Sequence, residues 1–389
     1  MPGLMLASEA SRADTECDPC SAAFVDARYI QEGWRVAQGG LDQGNTTLAK
    51  VDVAFGLDGR ALHLPGLLLF ARAIHDQGAG VSAGLIGDAQ GISNIETIRA
   101  TRLFELWSEW SPGTRFSLRA GLYDFNSEFD SNATGAVFLN PSHGIGKDIS
   151  QSGRMGPSIF PVTSFGVRFR WKAAAWSLQT AVLDGVPGDP DHPDRTAVHI
   201  DAQDGALLAA EIDREGDRLS RVALGTWYYT ASSPQIATTN TAEANSASRS
   251  SRGVYALTQV RLYQAAGSDG GLAGFVRVGF ADHTVNRFAR YSGIGLVYTG
   301  VATADDQLGL ALARATNGSS YRRAATLAGI PVASAETNIE LTWRFSVRDW
   351  LAVQPDVQYI FNPNTDPHLG DALAIGLRFE LSASTRQGH

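Results

Sequence analysis

Two long alternating segments near the C-terminal end, residues 337–361, most constrain the fold of this sequence. In TNIELTWRFSVRDWLAVQPDVQYIF each arm has one apolar face and one polar or charged face, and a tight turn separates the arms. Strands of soluble sheets usually run about 5 to 6 residues, whereas strands that cross a bilayer at a tilt need about 9 to 11. These arms are long and bounded by aromatic residues. The pattern therefore predicts a membrane-spanning β-hairpin.

The same alternation recurs from about residue 48 to residue 381. In the segment Arg99–Trp110 it predicts Phe104, Leu106 and Trp110 on the lipid face, opposite a polar face. No segment of helical period and comparable length competes with these strands. No run of 18 or more apolar residues exists, which excludes transmembrane helices. We therefore predict an all-β protein, a transmembrane antiparallel barrel.

The connections between the predicted strands alternate in length. The turns 111–113 and 348–350 are short, while the segments 124–161, 184–205 and 231–252 are long. Short periplasmic turns and long external loops are typical of outer-membrane barrels. Loops beyond about 12 to 15 residues usually carry function. We expect part of the long loop after Asp124 to fold into the lumen and narrow it.

Many residues opposite the apolar faces are arginines. An arginine facing lipid at the bilayer midplane costs about 2 to 4 kcal/mol, so these side chains are predicted to face a hydrated lumen. Several aromatic residues share their parity and offer flat surfaces for a sugar ring, or they simply fill the lumen. The predicted pore-lining residues are Glu105, Trp107, Glu109, Arg115, Arg119, Tyr123, Arg168, Arg170, Arg261, Arg277 and Arg344.

A guanidinium-rich lumen leaves the solute open, because arginine binds hydroxyl-rich and anionic solutes equally readily. Glu105 and Glu109 share one strand face about 13 Å apart, too far for a carboxylate pair that acts on one bond. They serve either as acceptors for sugar hydroxyls or, as we favour, as ion-pair partners of Arg115 and Arg119 across the hairpin.

Several segments together resemble the carbohydrate-selective porin family of Gram-negative outer membranes. They are RLFELWSEW, RAGLYDFNSEF, AETNIELTWRFSVRDWLAVQPDVQYIFNPN and ALAIGLRF, with LDG at 183–185 and GVYALTQ at 253–259. The resemblance extends from about Gly39 to Phe379. It implies about 16 antiparallel strands, passive diffusion of glucose-like sugars, and a constriction lined by charged and aromatic side chains. It also implies a location in the bacterial outer membrane.

The predicted organisation is an N-terminal segment 1–38, partly irregular and able to plug or flank the barrel, a pore domain 39–381, and a tail 382–389. The first residues lack the basic region and apolar length of an export signal. Cys17 and Cys20 could form a local disulfide in an oxidising periplasm. The partners expected are small carbohydrates and outer-membrane lipid, with oligomeric state left open. The net charge of −8 argues against nucleic acid.

The sequence predicts a porin without catalysis, metal or cofactor. The nearest alternative to a sugar pore is a porin for anions or organic acids. Ser82 in GVSAG matches a nucleophile elbow, but the following LIGDAQG is too glycine-rich to begin the helix that this motif needs. Calcium is the one cofactor considered, on oxygen ligands of Asp184, Asp189 and Asp191, whose spacing fits no known calcium loop.

Overall fold

The computed structural model describes residues 23–78, 80–217, 219–237, 247–265 and 270–386. Within this part of the chain, sixteen antiparallel strands pair in sequence order, and the first pairs with the last to close a barrel. The strands are β1 Ala23–Gly40, β2 Gly44–Asp58, β3 Leu67–Gln77, β4 Ala100–Trp110, β5 Phe116–Tyr123, β6 Ser164–Ala173, β7 Trp176–Asp184, β8 Ala206–Glu215, β9 Arg221–Pro234, β10 Ser248–Gln264, β11 Gly271–Ala281, β12 Phe288–Thr299, β13 Gln307–Asn317, β14 Ala335–Arg348, β15 Leu351–Phe361 and β16 Gly370–Ser384.

Two short α-helices lie in the connections, α1 Lys147–Ser150 and α2 Ser319–Leu327. A π-helical turn spans Val81–Ile86. No helix among the described residues is long and apolar enough to cross a bilayer. The remaining helical turns are 3-10 turns at Gly59–Leu62, Phe125–Ser127, Thr134–Val137, Pro141–His143 and Pro363–Thr365.

The strands present an apolar outer face and a polar inner face, because successive side chains of a strand point to opposite sides. In β6, Val167 and Phe169 are exposed on the outside, while Arg168 is fully buried inside. At the ends with short turns lie exposed tryptophans, which are the residues that mark the membrane interface in outer-membrane barrels. These tryptophans are Trp110, Trp171, Trp176 and Trp350.

The hairpin predicted from residues 337–361 is confirmed. It consists of β14 and β15, with Ile339 opposite Tyr359 and Leu341 opposite Val357. The turns 111–115, 174–175 and 349–350 are short, while the connections 124–163 and 185–205 at the opposite end are long. The predicted loop 231–252 is partly strand, since β9 continues to Pro234 and β10 begins at Ser248.

The barrel also extends beyond the limits expected from the sequence. β1 begins at Ala23 and closes the barrel against β16, which continues to Ser384. The predicted N-terminal segment therefore contributes most of a strand. Residues 1–22, with Cys17 and Cys20, and residues 387–389 lie outside the described residues.

One residue placed on the lipid face by its parity lies inside. Phe104 is 2% exposed, and the pairing of β3 with β4 shifts there, with Arg72 opposite Glu105 but Ala73 opposite Leu103. A β-bulge adds one residue to a strand, so simple alternation loses the correct face beyond it. The prediction for Phe104 was wrong for this reason.

Candidate functional site

Two connections fold into the barrel instead of extending from its rim. We name residues 124–163, between β5 and β6, the long inner loop, and residues 80–99, between β3 and β4, the short inner loop. Both contact side chains of the inner barrel wall. The inward folding predicted after Asp124 is thus confirmed, and the short inner loop was not foreseen.

The long inner loop is attached to one wall through a single carboxylate. Glu128 Oε1 accepts hydrogen bonds from Arg168 at 2.6 Å and Arg170 at 2.9 Å, and Arg119 lies 3.6 Å from Oε2. Gln179 donates to the backbone carbonyl of Glu128 at 2.8 Å. Although burial alone raises the pKa of Glu128, the three guanidinium groups hold it well below its usual range. Glu128 is therefore an ionised anchor.

A second anchor holds the loop to β11. Arg277 donates to Asp130 at 2.8 Å and to Asp148, at the beginning of α1, at 3.1 Å. The Asp130 backbone N–H donates to Glu211 at 3.0 Å, and the Tyr255 hydroxyl donates to the same carboxylate. Burial raises the pKa of Asp130 to about 6, while its pairing with Arg277 acts in the opposite direction.

The far end of the long inner loop crosses the lumen to the opposite wall. Glu340 on β14 accepts hydrogen bonds from the backbone N–H groups of Leu139 and Asn140, the latter at 3.0 Å. Gln354 on β15 donates to the carbonyl of Val137 at 2.7 Å. The loop is therefore fixed at both ends and divides the lumen.

The short inner loop is held against β14–β16. Glu336 accepts from the Gln90 N–H at 2.9 Å, Gln358 donates to the carbonyl of Ile92 at 2.8 Å, and Arg378 donates to Asn94 at 2.6 Å. Backbone groups of this loop and the Asn94 side chain thus bind side chains of the barrel wall.

A cavity of about 260 Å³ remains between the two inner loops and the wall of β14–β16 and β1–β3. We name it the central cavity. Five basic and three acidic side chains line it, together with two amides and aromatic rings. The lining comprises Arg28, Ile30, Lys50, Asp52, Arg72, Asn94, Ile95, Phe104, Asp124, Ala136, Phe160, Arg344, Gln354, Arg378 and Glu380.

Most charges of the central cavity are paired. Arg72 pairs with Asp52 at 2.5 Å, Arg28 lies 3.5 Å from Glu380, and Arg344 lies 3.4 Å from the same carboxylate. Lys50 and Asp124 form no ion pair within the described residues. The Lys50 ammonium lies 4.1 Å from the centroid of the Phe160 ring, and the residue is 6% exposed.

These features describe a hydrated channel narrowed by loops. Residues 42–382 match the family model of the carbohydrate-selective porin, OprB family. The chain belongs to this family. It is a carbohydrate-selective porin, and such a β-barrel lies in the bacterial outer membrane.

Known porins resemble the chain in sequence and in fold. Porin B of Pseudomonas aeruginosa is 26% identical over 349 residues, which cover 78% of this chain and 74% of that protein. The structure of Pseudomonas putida OprB at high pH superposes with a TM-score of 0.81 at 20% identity, covering 93% of this chain and 94% of that one. The outer-membrane channel DcaP of Acinetobacter baumannii gives a TM-score of 0.54 at 9% identity, covering 95% and 100%. At these identities the superpositions show a shared fold.

The porin structure separates the predicted pore-lining residues into groups. Arg344 lines the central cavity. Arg115 and Arg261 are exposed near the short turns. The others are buried at the inner wall, where several contact the long inner loop; they are Glu105, Trp107, Glu109, Arg119, Tyr123, Arg168, Arg170 and Arg277. Solute contact by any of the eleven stays a prediction.

The two glutamates of β4 have different partners. The predicted ion pair between Glu109 and Arg119 is confirmed at 2.6 Å. Glu105 instead lies 3.4 Å from Arg72, so its predicted pairing with Arg115 or Arg119 was wrong. The strand registers explain this, because Arg119 on β5 lies opposite Glu109, whereas Glu105 lies opposite Arg72 on β3.

Sequence reasoning missed most of the central cavity. Lys50, Asp52 and Arg378 had the correct parity, and this signal could have identified them as lumen residues. Asn94, Asp124 and Phe160 come from the inner loops, whose folding strand periodicity does not predict. Burial raises the pKa of Asp124 to about 7, with the negative charge of Glu105 acting in the same direction.

Two further sequence features have structural outcomes. The π-helical turn Val81–Ile86 includes Ser82 and ends at Ile86, so LIGDAQG begins no helix, as expected, and the Ser82 hydroxyl accepts a hydrogen bond from the Ile92 N–H at 3.0 Å. Among the described residues no three His, Cys, Asp or Glu side chains are grouped to hold a metal. Asp184, Asp189 and Asp191, the residues suggested as calcium ligands, are among these described residues.

Proposed function

We propose that sugars diffuse passively across the outer membrane through the central cavity, without catalysis or cofactor. The observation that carries this proposal is the lining itself. Donors such as Lys50 and Arg72 and the amides of Asn94 and Gln354 surround a space that also contains the Phe160 ring. Sugar hydroxyls both donate and accept hydrogen bonds, and a sugar ring has an apolar face that can stack on an aromatic ring. This combination favours sugars over solutes that lack hydroxyls.

Weak binding is essential to such a pore, because a solute must enter and also leave. The paired charges of the cavity favour this. Arg72 already donates to Asp52, so a sugar hydroxyl replaces part of an existing interaction rather than satisfying an empty site. The flux of sugar therefore depends on many weak contacts in the central cavity.

Liposome swelling tests the proposal with neutral solutes of increasing size. We expect monosaccharides to enter faster than uncharged glycols of the same hydrodynamic radius. Phe160→Ala and Gln354→Ala should reduce this preference, whereas Arg261→Gln, at an exposed position of β10 near a short turn, should not. Equal entry of sugars and size-matched glycols into wild-type vesicles would contradict sugar selectivity.

A second function, passage of anions or organic acids, has support from one observation. Basic side chains outnumber acidic ones in the central cavity by five to three. The reversal potential in a salt gradient measures this tendency. A strong chloride preference that glucose barely blocks would favour the anion pore over the sugar pore.

Asp124 should make ion selectivity depend on pH near neutrality. Burial raises its pKa to about 7. Below that pH the carboxyl is neutral and the cavity is more cationic; above it the carboxylate adds a negative charge. One charge corresponds to about 1 kcal/mol in hydrated surroundings, so the chloride-to-potassium permeability ratio should fall about fivefold as pH rises from 5.5 to 8.5. Asp124→Asn should abolish this change, and an unaltered pH profile in that variant would refute the assignment.

A further inference from the structure

Basic residues also lie on the outer face of the barrel, close to the rim that bears the long loops. Arg252 on β10, Arg290 on β12 and Arg314 on β13 are exposed there. Outward positions of these strands that lie farther from this rim are apolar, including Val254 and Ile294, which are 51% and 54% exposed. On β10, β12 and β13, arginine on the lipid side is therefore confined to one level.

That level corresponds to the outer membrane interface. On β12 the outward positions run from Arg290 to Tyr298, about 27 Å at about 3.4 Å per residue. With a strand tilt of about 40°, this is about 21 Å along the membrane normal, close to the height of a barrel's apolar band. Since Tyr298 lies toward the short-turn end, Arg290 reaches the headgroups of the outer leaflet.

Strand register brings these arginines close together. Arg290 pairs with Phe280 on β11, and Arg314 pairs with Ser292, the next outward residue on β12. Diagonal neighbours of this kind are about 7–8 Å apart. Arg252 follows on the other side of β11. We name Arg249, Arg252, Arg290 and Arg314 the rim arginines.

The rim arginines are only partly neutralised. Asp282 lies 3.1 Å from Arg249 and 3.6 Å from Arg252, so one carboxylate serves two guanidinium groups. Arg314 donates to the Thr337 hydroxyl at 2.9 Å, and Arg290 has no hydrogen bond or ion pair within the described residues. The surface therefore carries excess positive charge beside lipid.

A groove of about 510 Å³ runs beside these residues on the outside of the barrel. Arg249 and Arg252 line its upper part, and Val254, Phe280 and Tyr228 provide apolar and aromatic surface. Such a groove suits a molecule with an anionic head and hydrocarbon chains. A free anion would make no favourable contact with the apolar part of the groove.

We propose that the rim arginines bind a phosphorylated glycolipid of the outer leaflet, with its phosphates on the guanidinium groups and its acyl chains along Val254 and Phe280. Arginine binds phosphate through paired hydrogen bonds. Each basic residue near a membrane surface strengthens binding of anionic lipid about fivefold. This site is separate from the central cavity and does not depend on the solute that the pore carries.

The test uses the full chain in detergent micelles with purified bisphosphorylated lipid A, and native mass spectrometry measures the bound fraction. Wild type should retain lipid A, whereas dephosphorylated lipid A and inorganic phosphate should bind far more weakly. The double variant Arg290→Gln/Arg314→Gln should lose affinity about 30-fold. It breaks no ion pair within the described residues, so the barrel should keep its heat-modifiable migration and its sugar flux.

The matched control is Arg35→Gln/Arg214→Gln, which removes two exposed arginines of β1 and β8, away from the groove. It should bind lipid A like wild type. Equal affinity of the rim variant and this control would overturn the proposal, as would failure of wild type to bind. Equally tight binding of dephosphorylated lipid A would remove the role of phosphate, and equally tight binding of inorganic phosphate would remove the glycolipid.

Discussion

Replacing Glu128 by alanine should destabilise the barrel by about 3–5 kcal/mol and widen its pore. Glu128 is 4% exposed and is shared by Arg119, Arg168 and Arg170. Its removal leaves three guanidinium groups at a buried wall with Glu109 as the nearest remaining carboxylate. Breaking a buried ion pair costs this much because the partner charges lose compensation while they remain out of water.

The loss also affects conductance, because the same carboxylate positions the long inner loop. Without it, the beginning of the loop retains the Gln179 hydrogen bond to the backbone of residue 128, while the Arg277 anchor lies farther along. We expect a larger and noisier single-channel conductance. The folded-state pKa of Glu128 lies below the unfolded value of about 4.3, so its stabilisation is complete at neutral pH and is lost as pH falls below that value.

Arg154→Gln is the matched control for Glu128→Ala. Arg154 lies in the same loop as Glu128, and the substitution breaks its ion pair with Asp204 of the connection 185–205, but the Arg154 side chain is 66% exposed. Such a surface pair contributes about 0–1 kcal/mol. Urea titration of the folded barrels at pH 7 gives both stability changes, and planar bilayer recordings give conductance. Similar small effects in the two variants would show that Glu128 does not anchor the loop.

The alternation of apolar and polar residues predicted the barrel because neighbouring residues alone decide which face each side chain takes. A residue such as Arg168 lies between Val167 and Phe169, and lipid outside the barrel forces the two classes onto opposite faces. Lys50 and Asp52 have the same inward parity. The prediction from alternation failed at Phe104, where one extra residue in β4 shifts the register, since a bulge leaves no clear mark in hydrophobic periodicity.

The site was harder to predict because loop folding decides it. Arg168, Arg170 and Arg277 are inside, as expected, but the carboxylates of the long inner loop neutralise them. Parity gives the face of a side chain and says nothing about what covers that face. The cavity lies along the wall that the loops leave open, and residues such as Asn94 reach it only through tertiary contacts.

Reversing the charge of Lys50 should strongly change the ion selectivity of the central cavity. Lys50→Glu changes the lining from five basic and three acidic side chains to four of each. A change of two charges corresponds to about 2 kcal/mol in hydrated surroundings, or about 30-fold in the chloride-to-potassium permeability ratio. Because Lys50 forms no ion pair within the described residues, the substitution removes no structural contact between charges.

Reversal potentials in a potassium chloride gradient measure the ratio for Lys50→Glu, Lys50→Met and Arg261→Glu. Lys50→Met removes one charge and should give about a fivefold change. Arg261→Glu makes the same two-charge reversal at an exposed position near a short turn, outside the cavity lining, and should have little effect. The Lys50 effects should also diminish in molar salt, since the Debye length falls to about 3 Å. An Arg261 effect as large as that of Lys50 would place the selective part of the pore at the periplasmic mouth rather than in the central cavity.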